Sequence, residues 1–239
     1  DPGIESTTFL LYQCVHGLGH GLMIYSGYNL PFSLRICDRL RTEWDQTSCT
    51  GGVFMENLSS TYGVKSKWLR DDDPVYPCDA VQERHKLYCY LMVTSRINEL
   101  NGFEWRKTAE TCRRVEHEWI GVCFESYGRD ASGSTRQDAA EAARLCSYAG
   151  AYEGSCVYGA ARDMTSNYAN GRRASELCRR IGESLRPRCF RGIGTILGNL
   201  EPADEGKRRA CAAVTPKAYV ASCVAGAGVR LAGVVESTG

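Results

Sequence analysis

Cysteine recurs along this chain at a nearly fixed beat. Cys14, Cys49, Cys89, Cys123, Cys156, Cys189 and Cys223 follow one another at intervals of 35, 40, 34, 33, 33 and 34 residues. Six of the seven have a second cysteine 10 to 12 residues upstream: Cys37, Cys78, Cys112, Cys146, Cys178 and Cys211. A period in this range marks a repeat architecture, in which each unit buries its apolar face only against its neighbours. The beat runs from end to end, so residues 1–239 read as a single repeat domain.

The regular pairing assigns most of the 13 cysteines to disulfides. Metal clusters favour two to four residues between ligands, whereas a gap of 10 to 12 suits a staple between two helices. The spacing predicts Cys37–Cys49, Cys78–Cys89, Cys112–Cys123, Cys146–Cys156, Cys178–Cys189 and Cys211–Cys223. Bridges of this kind belong to an oxidising, extracellular or periplasmic compartment. Cys14 is left over, because Pro2-Gly3-Ile4 stands where its partner would be.

Aligning the repeats on the second cysteine exposes a helix. The residues one, four and eight positions later are mostly apolar, as in Val157, Ala160 and Met164 or Phe190, Ile193 and Leu197. These offsets fall within about 60° of each other at 100° per residue, one face of an α-helix. Glycine stands three positions after the cysteine in Gly17, Gly52, Gly159, Gly192 and Gly226. A second helix ends at the first cysteine, as in Asp138 to Cys146, which is rich in strong helix formers. Turn signals such as Asn170-Gly171 and Glu201-Pro202 separate the two. The predicted fold is all-α: a disulfide-stapled α-solenoid of six helical hairpins plus a terminal helix, with a period of about 33–40 residues. The stretch from Trp68 to Pro77 accounts for the one 40-residue interval as a loop insertion.

On Cys156-Val157-Tyr158-Gly159 and Cys189-Phe190-Arg191-Gly192, the pattern resembles the cysteine-rich secreted members of the Sel1-like repeats, relatives of tetratricopeptide repeats. The gap inside each cysteine pair is longer here than in that family. The resemblance covers the whole chain as architecture. It implies a right-handed superhelix that binds peptides or proteins, and it implies no chemistry.

The first helix of each repeat has an opposite face, two, three, six and seven positions after the cysteine. It is expected to line the inner surface of the superhelix. Charge recurs there in Glu56, Arg96, Arg129, Asp130, Arg162, Asp163 and Arg230. From Arg96 onward these residues form a candidate partner-binding face, with a solvated ladder of ion pairs as the plainer alternative.

One segment departs from the repeat. In Cys14-Val15-His16-Gly17-Leu18-Gly19-His20-Gly21, His16 and His20 have no counterparts in other repeats, and they are half of the 4 histidines. One helical turn apart, they share a face, an arrangement that zinc and copper sites use. Glu56 in the next repeat is a candidate third ligand. Cys14 joins them only if the helix is distorted, which Gly19 and Gly21 would allow. Close helix packing, partner recognition and acid–base chemistry are the other readings of this pair.

Several function classes are excluded. A net charge of +1 gives no electrostatic case for nucleic acid or an anionic membrane. No apolar run approaches a transmembrane span, no signal peptide is visible in the sequence, and the abrupt start at Asp1 is that expected of a mature or trimmed form. No nucleophile elbow, phosphate loop or dinucleotide fingerprint accompanies the histidines, so no residue is singled out as catalytic. Asn57-Leu58-Ser59 is a lone glycosylation sequon. The leading reading is a secreted or periplasmic scaffold that binds a protein or peptide partner, with a place as a subunit of a larger assembly as its extension. The alternative is a metal-binding protein or metalloenzyme with zinc or copper at His16, His20 and Glu56.

Overall fold

The computed structural model describes residues 7–229, and side chains from residue 11 onward. Among the described residues every regular element is a helix. In chain order they are α1 (Thr7–Tyr25), α2 (Leu30–Cys37), α3 (Glu43–Leu58), α4 (Glu83–Tyr90), α5 (Thr94–Leu100), α6 (Trp105–Cys112) and α7 (Ile120–Ser134). They continue as α8 (Ala139–Cys146), α9 (Glu153–Tyr168), α10 (Arg172–Arg180), α11 (Arg186–Leu200), α12 (Asp204–Val214) and α13 (Val220–Gly226). Helices α1, α3, α4 with α5, α7, α9, α11 and α13 form the inner series that carries the second cysteines. The outer series is α2, α6, α8, α10 and α12.

All six predicted disulfides are present. Each closes a short loop, and the chain-entropy account assigns about 2.8 kcal/mol to a loop of this length. Every bridged cysteine is fully buried, so the bridges form the spine of one continuous core. Local signals start the helices as the sequence implies. The Asn29 side chain accepts from the Phe32 amide at the head of α2, and Asp138 accepts from the Ala140 and Glu141 amides at the head of α8.

At three of the six steps between inner helices the backbones touch, and a pair of glycines is the reason. A Cβ on Gly52 would stand 1.9 Å from the His16 carbonyl oxygen, and one on Gly159 would stand 2.0 Å from that of Glu125. A second glycine, five positions after the cysteine, makes the reciprocal contact. A Cβ on Gly19, Gly128 or Gly194 would lie 2.1, 1.9 or 1.9 Å from the carbonyl of Cys49, Cys156 or Cys223. Each lock therefore uses a late glycine on one helix and an early glycine on the next. Between α5 and α7 the same two positions are Thr94 and Ser126, and their hydroxyls hydrogen-bond at 2.7 Å instead. Gly19 thus serves close packing and does not distort α1, which is helical throughout Thr7–Tyr25.

Aromatic stacking repeats with the same period. Trp119 stacks on Tyr90, Tyr152 on Phe124 and Tyr219 on Phe190, with centroids 5.6, 5.2 and 5.2 Å apart. In each case a residue four before one cysteine covers the residue just after the preceding one. Contacts of this kind add about 0.5–1.5 kcal/mol beyond the area they bury.

The second repeat departs from the pattern. Cys78 does not end a helix, as the sequence reading had it, but lies in a turn after the cis Tyr76–Pro77 bond. The inner helix that follows is broken at residues 91–93 into α4 and α5. The array also curls until α1 contacts α11, the sixth inner helix. That closure brings early and late repeats around a common interior.

Candidate functional site

The inner face holds a partly open cavity of about 320 Å³ lined from α1 to α11. The early repeats contribute Tyr12, Trp44 and Tyr88, and the later ones Glu125, Arg129, Arg162 and Asp163. The later residues stand two, six or seven positions after their cysteines, the face that the helical reading turned inward. The aromatic trio precedes its cysteines by one to five positions. An alignment read only downstream of each cysteine passes over it. The signal was available in the run-up to each inner helix.

The charged side chains differ in how far the fold has already used them. Arg129 donates through Nη2 to Asp130 at 2.6 Å and through Nη1 to the Leu91 carbonyl at 2.9 Å. Asp130 also accepts from the Thr94 hydroxyl at 2.7 Å. Arg96 is turned away from the cavity. It is only 5% exposed and pairs with Asp71 of the inserted loop and with Glu99. Arg230 lies outside the described residues. Arg162 has no ion-pair partner among the described residues, and its Nε is buried without an acceptor. Its guanidinium lies 5.6 Å from the Tyr158 ring centroid, and its charge is felt by Tyr12 and Glu125. Asp163 Oδ2 is buried, and the Ser132, Gln137 and Asn167 side chains stand around its carboxyl, though none reaches Oδ2 in good hydrogen-bond geometry. Burial raises the carboxyls of both Glu125 and Asp163 above the usual range, against the pull of Arg162 and Arg188 on Glu125 and of Ser132 first, then Arg129, on Asp163.

His16, His20 and Glu56 form a second cluster, behind the cavity. Glu56 is fully buried and accepts from the Tyr28 hydroxyl at 2.8 Å, the Thr61 amide at 3.0 Å and the Thr61 hydroxyl at 2.6 Å. It also accepts from His20 Nδ1 at 2.8 Å. Burial alone would raise this carboxyl, but the hydrogen bonds from Thr61, His20 and Tyr28 outweigh it and hold the group below the ordinary range. An ionised carboxylate only accepts, so Nδ1 of His20 carries a proton. The Nε2 atoms of His20 and His16 face each other at 3.3 Å. His16 Nδ1 is buried beside the Ser48 carbonyl without reaching hydrogen-bond geometry. Burial first, and His20 second, lower the His16 pKa.

This geometry changes the expected ligand set. Glu56 sits on the Nδ1 edge of His20, on the far side of the ring from Nε2. It cannot reach an ion held by the two Nε2 atoms and acts as an orienting partner. Cys14 is exposed and belongs to no such cluster. Among the described residues no three of His, Cys, Asp and Glu come together as a set that could hold a metal.

Other polar residues are tied into the fold. The sequon residue Asn57 is buried, and its Oδ1 accepts from the Ser66 hydroxyl at 2.6 Å. His85 is buried against Asp38 at 2.8 Å. Glu116, at the surface, accepts from Lys86 at 2.6 Å and Tyr90 at 2.9 Å and ties the third repeat to the connector that follows. No family model, no curated protein and no solved structure matches this chain.

Proposed function

We propose that the protein is a non-catalytic scaffold of the extracellular or periplasmic space that binds a peptide or protein segment on its inner face. Six disulfides are those of an oxidising compartment, and among the described residues no helix is long and apolar enough to cross a membrane. The observation that carries the reading is the partly open cavity on the inner face. It combines three aromatic rings with an arginine whose charge the fold leaves unmatched, the few convergent polar groups and apolar walls typical of ligand sites. The resemblance to Sel1-like repeats points the same way. The test is selection from a random peptide library against the disulfide-intact protein. Enriched peptides should compete for one site and lose binding in Trp44→Ala. No enrichment over the bare carrier would refute the reading.

A second reading is favoured by one observation at His16 and His20. Two nitrogens held about 2.0–2.1 Å from a tetrahedral zinc stand about 3.3–3.4 Å apart. That matches their Nε2 separation of 3.3 Å. Glu56 on Nδ1 of His20 is the kind of outer partner that orients a metal-binding histidine. Zinc or copper would then hold two protein ligands and complete its shell with water. Calorimetric titration of chelator-treated protein with zinc should show one site per chain, abolished in the His16→Ala, His20→Ala double variant. Equal heats from both proteins would remove this reading.

A further inference from the structure

We infer that the protein holds a second binding site, on its outer face, for a small organic acid: a carboxylate carried on a short apolar body. This site stands apart from the inner-face reading, because the two pockets share no residue.

An interruption of the outer series creates it. Between α3, which ends at Leu58, and α4, which begins at Glu83, no helix stands among the described residues. Helix α2 therefore lacks the outer neighbour that α8 has in α10. The irregular stretch over residues 59–82 lies against it instead. Irregular chain has no ridges to set into the grooves of a helix, so its cover is incomplete. A partly open pocket of about 250 Å³ remains.

Helix α2 gives this pocket two unlike ends. Leu30, Pro31 and Leu34 line it from the first turns, and Arg35 and Asp38 from the last. Positions 30, 34 and 38 form one row on the helix, and 31 and 35 form the row beside it, so the lining is a single face. Along that face the wall changes from apolar to charged over about 12 Å. Trp68, Pro77 and Val81 add apolar wall from the inserted loop.

The charged end has used its acceptors and kept its donors. One oxygen of Asp38 accepts from His85 Nε2 at 2.8 Å, and the other pairs with Arg84 Nη2 at 2.9 Å. The side-chain oxygen of Gln82 accepts from Arg84 at 2.8 Å. Arg35 is exposed and has no ion-pair partner among the described residues. Two guanidiniums thus meet one carboxylate, and the open N–H groups of Arg35, Arg84 and Gln82 have no acceptor. A ligand carboxylate supplies the missing charge and two acceptor oxygens. An amine would meet the surplus charge with its own and would find Asp38 already taken. A neutral molecule would leave Arg35 unpaired. The volume, just below the usual range of ligand sites, suits a small molecule whose apolar body lies along Leu30 and Leu34.

The test uses the intact, oxidised protein, calorimetry in low-salt buffer, and five probes: butanoate, hexanoate, octanoate, octanamide, and a glycine-serine hexapeptide ending in leucine. Hexanoate should bind roughly tenfold more tightly than butanoate, the gain expected for burying two methylenes. Octanoate should bind at least fivefold more tightly than octanamide. Arg35→Gln should erase that preference and keep the rise with chain length. Trp44→Ala, which alters the inner cavity, should change neither. Failure of every probe to bind overturns the inference. So do equal binding of octanoate and octanamide, an affinity flat in chain length, and an acid preference that survives in Arg35→Gln. Weaker binding in Trp44→Ala would move the acid to the inner cavity and overturn the outer site. Tighter binding of the hexapeptide than of octanoate identifies a chain end as the source and overturns the small acid. None of these outcomes bears on the library selection, so the two readings fail separately.

Discussion

The backbone locks between inner helices predict that one substitution, at one repeat position, changes sign with its place in the array. Gly17 and Gly159 both stand three residues after a repeat cysteine on an inner helix. A Cβ on Gly17 meets nothing within 4 Å, whereas one on Gly159 would stand 2.0 Å from the Glu125 carbonyl oxygen and 2.7 Å from its carbon. Ordinary contact begins at 3.4 Å, so the second Cβ overlaps by 3.4 − 2.0 = 1.4 Å, and with backbone atoms that no rotamer can move. Helices α7 and α9 would have to separate and loosen their shared core. Overpacking of this kind costs about 1–3 kcal/mol and at times more. The intrinsic preference of a helix for alanine over glycine returns only about 0.5–1 kcal/mol.

Gly159→Ala should therefore destabilise by about 2 kcal/mol or more, and Gly17→Ala should stabilise by about 0.5–1 kcal/mol. For a chain of this size 1 kcal/mol moves Tm by about 2–4 °C, so the two variants should differ by roughly 5–12 °C in opposite directions from wild type. Thermal melts followed by far-ultraviolet circular dichroism, with disulfides intact, give the comparison. Gly128 contributes the other half of the same lock, its Cβ position 1.9 Å from the Cys156 carbonyl. The Gly128→Ala, Gly159→Ala double variant should thus lose less than the sum of the single losses, because helices already parted need not part again. Equal shifts in Gly17→Ala and Gly159→Ala would refute the locks as the reason for the recurring glycine.

Two further predictions follow from buried polar groups. Asp163 has its pKa raised by burial, so in the folded state its neutral form is favoured; that contribution is present below the unfolded pKa and is lost as pH rises through the folded one. Asp163→Asn should accordingly gain stability over wild type at pH 8 and gain little at pH 4, read as the difference in urea midpoint; a gain that grows toward acid would contradict the assignment. Asn57→Ala should cost about 1–3 kcal/mol, because the buried Ser66 hydroxyl loses its acceptor at 2.6 Å, and an unchanged urea midpoint would show that water replaces the side chain.

The parts of the fold that were legible in the sequence are those with a local cause. A disulfide over 10 to 12 residues and a helix face repeated at the same offsets leave their period in the chain, and both appear where that period puts them. The partner contacts of each glycine were not legible, because a backbone-to-backbone approach has no complementary side chain to betray it. Gly19 looked like a source of distortion in a histidine-rich segment, yet it is the first half of the first lock. Arg96 sits in the repeat register of the inner face, but the inserted loop supplies Asp71, and that pairing turns it outward. An insertion is the one place where neighbours do not follow the period, so register fails there first.

The cavity was the least legible feature, for a geometric reason. Curvature in a solenoid is the sum of small rotations, each set by how closely one inner helix approaches the next. Paired glycines at three of the six steps, and the small residues Thr94 and Ser126 at a fourth, bring the backbones together on the side of the array that carries residues two and six after the cysteine. That shortens the inner circumference relative to the outer series and bends the row until α1 meets α11. The residues then assembled, Tyr12 and Trp44 with Arg162 and Asp163, come from repeats more than 100 positions apart. No motif could have joined them. The recurring glycine that reads as mere tolerance of close packing is, on this account, one part of what brings the early and late repeats together around the cavity. Replacing it would alter the binding cavity as well as stability.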